Sequence, residues 1–176
     1  LGLRHWLWEL AGLSFHTEAA ALARLHGCTQ VPQLRGVDAA SRSIYMDYVA
    51  GETLRHALAG HGSVHDLDLA ADPSLRQLTS DESQRREAEL SSRLLGEAYG
   101  GRVKELVRAI NLRGVGLQDI KPGNVFVGAR TGRLYWLDFE AAVLASQTGW
   151  EQALAEQDRL LALWFGTAAR SDVLAV

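Results

Sequence analysis

Phe15, Ala19, Leu22 and Leu25 recur at helical spacing, which predicts a helix over 15–26 with Glu18 beside the apolar stripe. Gly27 follows as a stop signal. The pattern then turns to alternation. Residues 33–37 and 43–49 read as two strands, the second with Ile44, Met46 and Tyr48 set against Asp47, and Asp38-Ala39-Ala40-Ser41 as the turn between them. Gly51 interrupts the second strand, and residues 52–59 read as a helix with Thr53 near its start. The stretch 60–81 holds Gly60, Gly62, Pro73 and several Asp and Ser, and reads as a surface connection. Helical spacing resumes from Asp81 to about Arg113, carried by Leu90, Leu94, Leu95, Leu106, Val107 and Ile110, with Gly100-Gly101 as a point of breakage. A loop over 114–123 leads to strands at 124–128 and 134–138 around the turn 129–132, and then to a helix over about 150–165 marked by Leu154, Leu160, Leu161 and Trp164. Near the start, Trp6 and Trp8 read as part of an aromatic helix. Helices and short hairpins come in separate blocks, which predicts an α+β fold rather than alternating βαβ units.

With 176 residues, 47% of them hydrophobic, the chain has the length and apolar content of an ordinary domain core. The net charge of -3 shows no polybasic character, so neither nucleic acid nor an anionic membrane surface is an expected partner. No apolar run approaches the roughly 18 residues needed to span a bilayer. The first residues lack the apolar core and cleavage site of a signal peptide. Cys28 is the single cysteine and cannot form an internal disulfide, which fits a reducing compartment and a cytoplasmic location. The chain begins at Leu1 rather than Met, which reads as truncation.

The densest chemistry lies in Asp119-Ile120-Lys121-Pro122-Gly123-Asn124 and, further on, Asp138-Phe139-Glu140. Pairing of the two flanking strands brings Asn124, just before the first, beside Asp138, at the end of the second. An amide oxygen and a carboxylate then form a hard-oxygen pair suited to Mg²⁺. Asp119 and Lys121 add a carboxylate and a cation on the same loop. Phosphoryl transfer requires this set: a carboxylate facing the attacking hydroxyl, oxygen ligands for the metal, and positive charge near the moving phosphate. Pro122 and Gly123 hold the loop in one shape. The bland alternative is a surface turn before a hairpin, where Asp, Lys, Pro, Gly and Asn are all ordinary. His61 and His65 stand near Asp66 and Asp68 but match no closed zinc spacing. Cys28 reads as a small buried or turn residue rather than a nucleophile.

Residues 115–140 resemble the catalytic loop and metal-binding segment of the protein-kinase-like superfamily. The resemblance implies that Asp119 is the catalytic-loop acid, Lys121 the phosphate-contacting lysine, and Asn124 and Asp138 the metal ligands. Upstream, Glu18 resembles the glutamate of helix C, and 46–54 resembles the hinge between two lobes. There the Asp47 carbonyl and the Val49 N–H would meet the adenine edge, with Met46 behind the ring. The implied organisation is a partial N-lobe over 1–50 and a C-lobe over 51–176. The implied cofactors are ATP and Mg²⁺, with an alcohol acceptor on a protein Ser/Thr or a sugar.

Several family features are absent. No glycine-rich loop and no Val-Ala-x-Lys strand precede Glu18. Leu117-Gln118 replaces His-Arg, Glu140 replaces Gly, and no Ala-Pro-Glu segment follows. Asp158 is a candidate brace for the catalytic loop. The short remainder is most similar to minimal atypical members, the lipopolysaccharide-core sugar kinases and the Rio-type kinases. The rival reading is a pseudokinase, a nucleotide- or partner-binding module. An antibiotic-kinase-like phosphotransferase ranks third, since neither His-Gly-Asp nor an acidic acceptor pocket is evident.

Overall fold

The computed structural model describes residues 4–7, 12–59 and 80–167, and it is an α+β fold of helices and short antiparallel strands. The connection expected over 60–81, the His61/His65 cluster and Trp8 lie wholly or almost wholly outside the described residues. Trp6 corrects the sequence reading: Arg4–Leu7 is a strand, β1, and not part of a helix. It gains its partner from far along the chain, with Arg4 opposite Met46 and Leu7 opposite Ser43. Local aromatic content could not reveal that pairing.

Helix α1 spans Gly12–Arg24. Phe15, Glu18, Ala21, Leu22 and Leu25 are buried, so Glu18 stands on the apolar face, one turn before Leu22. The chain leaves the helix through Gly27 at φ +78°, a conformation glycine adopts without strain. Strands β2 (Leu34–Asp38) and β3 (Ser43–Met46) then pair antiparallel with a bulge between Leu34 and Gly36. Their turn is held by the Asp38 carboxylate, which accepts the Ala40 N–H at 2.9 Å and the Ser41 hydroxyl at 2.7 Å. The sheet order is β1-β3-β2, and α1 packs against it.

Strand β3 was expected to run to Val49 but ends at Met46. The Asp47 N–H still reaches the Gln33 carbonyl at 3.0 Å, and residues 47–50 then leave the sheet. A second correction follows. Gly51–Thr53 is a strand, β4, where a helix start was expected, because it pairs with β6 (Val125–Gly128) across a long sequence separation. A Cβ on Gly51 would sit 2.0 Å from the Val127 carbonyl oxygen, so only glycine permits this approach. Helix α2 (Leu54–Ala59) begins after it, with the Thr53 hydroxyl accepting the His56 N–H at 3.1 Å.

The long helical pattern does not break at Gly100-Gly101. Helix α3 (Ser80–Leu95) passes through a π-helical turn at Gly96–Gly100 into α4 (Gly101–Asn111). Its glycines serve packing: a Cβ on Gly96 or Gly100 would come within 3.0 or 2.7 Å of the Phe165 carbonyl. Phe165 closes α5 (Trp150–Phe165), which is flanked by Gly149 at φ +93° and Gly166 at φ +61°. The Ser91 hydroxyl ties α3 to α5 through the Trp164 carbonyl at 2.9 Å. The remaining strands are short: β5 (Val115–Gly116) pairs with β8 (Val143–Leu144), and β7 (Leu134–Trp136) with β6. One continuous cluster of buried residues runs from Phe15 to Phe165 through all three sheets and the helices. Among the described residues, no helix is long and apolar enough to cross a membrane.

Candidate active site

The β6–β7 hairpin forms with Val125 opposite Trp136 and Val127 opposite Leu134. This register sets Asn124 next to the residues that follow β7, and the Leu137 N–H bonds the Asn124 carbonyl at 3.3 Å. The loop before the hairpin alternates between anchors and presented groups. Leu117, Ile120, Pro122 and Asn124 are buried, while Gln118 and Lys121 are exposed and Asp119 lies between. Burying Leu117 and Ile120 is worth roughly 1.5–3 kcal/mol each, which offsets part of the conformational entropy lost in fixing this loop.

The loop is also tied from behind. Gln157 on α5 accepts the buried Leu117 N–H at 3.0 Å. Sequence reading had pointed to its neighbour Asp158, which is half-buried and titrates above the usual aspartate range through burial, with Lys104 opposing. The available signal for Gln157 was a polar residue among Ala153, Leu161 and Trp164 on the apolar face of α5.

Lys121 Nζ lies 2.5 Å from the Asp119 carboxylate. Asn124 Nδ2 donates to the Asp119 carbonyl at 2.8 Å and to its carboxylate at 3.0 Å. The carboxylates of Asp119, Asp138 and Glu140 lie within 4.8 Å of one another. Asp138 is fixed by two contacts: the Trp136 indole N–H donates to its carbonyl at 2.6 Å, and the Glu140 N–H to its carboxylate at 3.1 Å. Phe139 is buried, and its carbonyl accepts the Ala142 N–H at 3.0 Å just before β8 joins β5. The segment carrying Asp138 and Glu140 is thus pinned on both sides. Sequence reading had treated Glu140 only as a replacement for glycine; the fold makes it the third member of the acidic group.

A cavity of about 400 Å³ opens beside these groups, and Glu18, Met46, Asp47, Val49, Asn124 and Asp138 all border it. Those are all the residues that the sequence marked for nucleotide or metal. Asp119 and Lys121 do not border it; both are joined to the bordering Asn124, Asp119 through the Asn124 side chain and Lys121 through its carbonyl, which accepts the Asn124 N–H at 3.0 Å. In segment 47–50, neither the Asp47 carbonyl nor the Val49 N–H has a hydrogen-bond partner among the described residues. Unpaired backbone groups beside a cavity are available to a ligand. The Asp47 carboxylate is engaged elsewhere, by both arms of Arg35 at 2.6 and 2.8 Å.

Negative charge is in surplus here. Burial pushes Glu18 up from 4.5 to about 7, helped by Asp138 and Glu140, while a contact with the Phe139 amide acts the other way. Asp138 is also raised, first by burial and then by Asp119, against the Glu140 N–H and Lys121. Glu140 is raised by partial burial, Asp138 and Asp119, against Lys121. Among the described residues no Lys or Arg pairs with Glu18, and Lys121 is the ammonium that offsets the group. Crowded carboxylates of this kind favour a bound cation, and the hard oxygens of Asn124 and Asp138 suit a divalent one. Neither a scan against protein-family models nor a search of curated proteins finds a match for this chain.

Proposed function

We propose that this chain is a phosphotransferase of the protein-kinase-like type, moving the γ-phosphoryl group of ATP to an alcohol acceptor. The observation that carries the reading is the convergence at one cavity. Residues from α1, from the 46–49 stretch and from the β6–β7 hairpin border the same 400 Å³ space, and the bordering Asn124 donates to the Asp119 carboxylate.

In this reading the adenine edge meets the Asp47 carbonyl and the Val49 N–H, and Met46 packs beside the ring. Asn124 and Asp138 would hold Mg²⁺, with Glu140 close by, and the ion would supply positive charge at the nucleotide phosphates. Lys121 swings from Asp119 to the transferred phosphoryl, whose charge it offsets. Asp119 orients the acceptor hydroxyl and takes its proton late, as the new O–P bond forms and the bond to the departing ADP breaks. Positioning and preset charge supply most of the acceleration, since this transition state needs little covalent help.

Asp119→Asn tests the reading by ADP release from Mg-ATP with sugar and Ser/Thr-peptide acceptors. Turnover should fall at least about 100-fold, the usual contribution of a positioned base. The Mg-ATP shift in melting temperature should persist, because Asp119 lies outside the nucleotide contacts. Equal turnover in the two forms removes Asp119 from the mechanism. One observation favours a second reading, nucleotide binding without transfer: no cation pairs with Glu18 among the described residues. A melting shift with Mg-ATP and no ADP release from the unmutated chain would select it.

A further inference from the structure

We propose a second ligand site, distinct from the nucleotide cavity, for a small carboxylate with a flat apolar body. Segment 47–49 borders two cavities. The second measures about 730 Å³ and lies between residues 27–33, segment 47–50 and the turn after β6. Asp47, Tyr48 and Val49, together with Pro32, border both spaces. The volume falls in the range of small-molecule sites, which pair apolar walls with a few convergent polar groups.

Its walls are held firmly. The Gln33 side chain accepts the Gly27 N–H at 2.7 Å and donates to the carbonyls of Cys28 and Val31 at 2.9 and 3.0 Å. The Ala129 N–H bonds the Ala50 carbonyl at 2.9 Å, joining the turn to segment 47–50. Apolar surface comes from Val31, Pro32 and Val49.

The polar groups decide the ligand's charge. The Asp47 carboxylate is already neutralised by Arg35, and the Thr131 hydroxyl accepts the Arg133 N–H at 3.2 Å. Arg130 and Tyr135 border the same cavity, and neither side chain has a hydrogen-bond or ion-pair partner among the described residues. A guanidinium presents a planar fork that matches a carboxylate, and a phenol adds a further donor. A single cation suits a monoanion, and the apolar walls suit a ring.

The test is a titration of 2-naphthoate into the full ¹⁵N-labelled chain, beside the neutral isostere 2-naphthamide. Saturable shifts are expected at the amides of Gly27, Thr29, Gly128 and Thr131, and at Val49 in the shared wall. Arg130→Gln should weaken 2-naphthoate about tenfold, the worth of one charge-assisted bond, and leave 2-naphthamide unchanged. Arg130 is exposed on a turn, so the fold should survive the change. The proposal is overturned by the absence of saturable shifts, by shifts confined to Glu18, Asn124 and Asp138, or by equal 2-naphthoate affinity in the variant. None of these outcomes bears on phosphoryl transfer, which the Asp119 experiment tests separately.

Discussion

Glu18→Gln should change the pH dependence of stability in a direction that the burial of this side chain sets. Glu18 is 3% exposed, and its pKa rises from 4.5 to about 7, through burial first and then through Asp138 and Glu140. At about 1.4 kcal/mol per unit, keeping it charged in the folded chain costs on the order of 3 kcal/mol relative to the unfolded chain. The folded state holds the proton more tightly, so this stability is fully present below pH 4.5 and is lost as pH rises through about 7. Gln keeps the shape and cannot ionise. Urea denaturation across this range should show the variant matching the parent at the acid end and exceeding it by about 3 kcal/mol near pH 8. Asp138 and Glu140 are also raised, so the difference between the two curves reports Glu18 together with its coupling to them. Parallel curves would refute the reasoning, since they would mean that the carboxylate is solvated in the fold.

Two further substitutions probe what holds the site in place. Gly51→Ala forces a methyl to 2.0 Å from the Val127 carbonyl, so β4 must part from β6; urea denaturation should show a loss of at least about 2 kcal/mol. An unchanged midpoint would contradict the close approach. Gln157→Ala leaves the buried Leu117 N–H without its acceptor, a loss of about 1–3 kcal/mol, and hydrogen exchange at Leu117 should accelerate by more than at Ile110 in α4.

Much of the local structure was legible because its cause is local. The helix spacing of Phe15, Leu22 and Leu25 and the apolar strands at 125–128 and 134–136 bury faces that the sequence displays, and the Asp38 turn is closed by its own side chain. The elements read wrongly or missed share one cause, partners far along the chain. Arg4–Leu7 and Gly51–Thr53 are strands only because Ser43–Met46 and Val125–Gly128 offer them edges. Val115–Gly116 and Val143–Leu144 are too short to announce themselves and exist as strands through each other. Gly100 looks like a helix breaker until Phe165 is seen to need its bare backbone, and Gly96, one turn earlier, meets the same carbonyl.

The candidate site divides along the same line. Asp119, Lys121, Asn124 and Asp138 lie within one hairpin and its approach loop, so residue order and turn chemistry alone were enough to bring them together. Nothing in the order of residues placed Glu18 beside Asp138, joined Glu140 to the carboxylate group, or put Gln157 behind Leu117. The first and last of those meetings depend on how α1 and α5 pack around the β5–β8 pair, which flanks the loop on one side and the acidic segment on the other. Periodicity tells which face of a helix is buried, but the neighbour it finds, and the charge that neighbour carries, is settled only when the whole core closes.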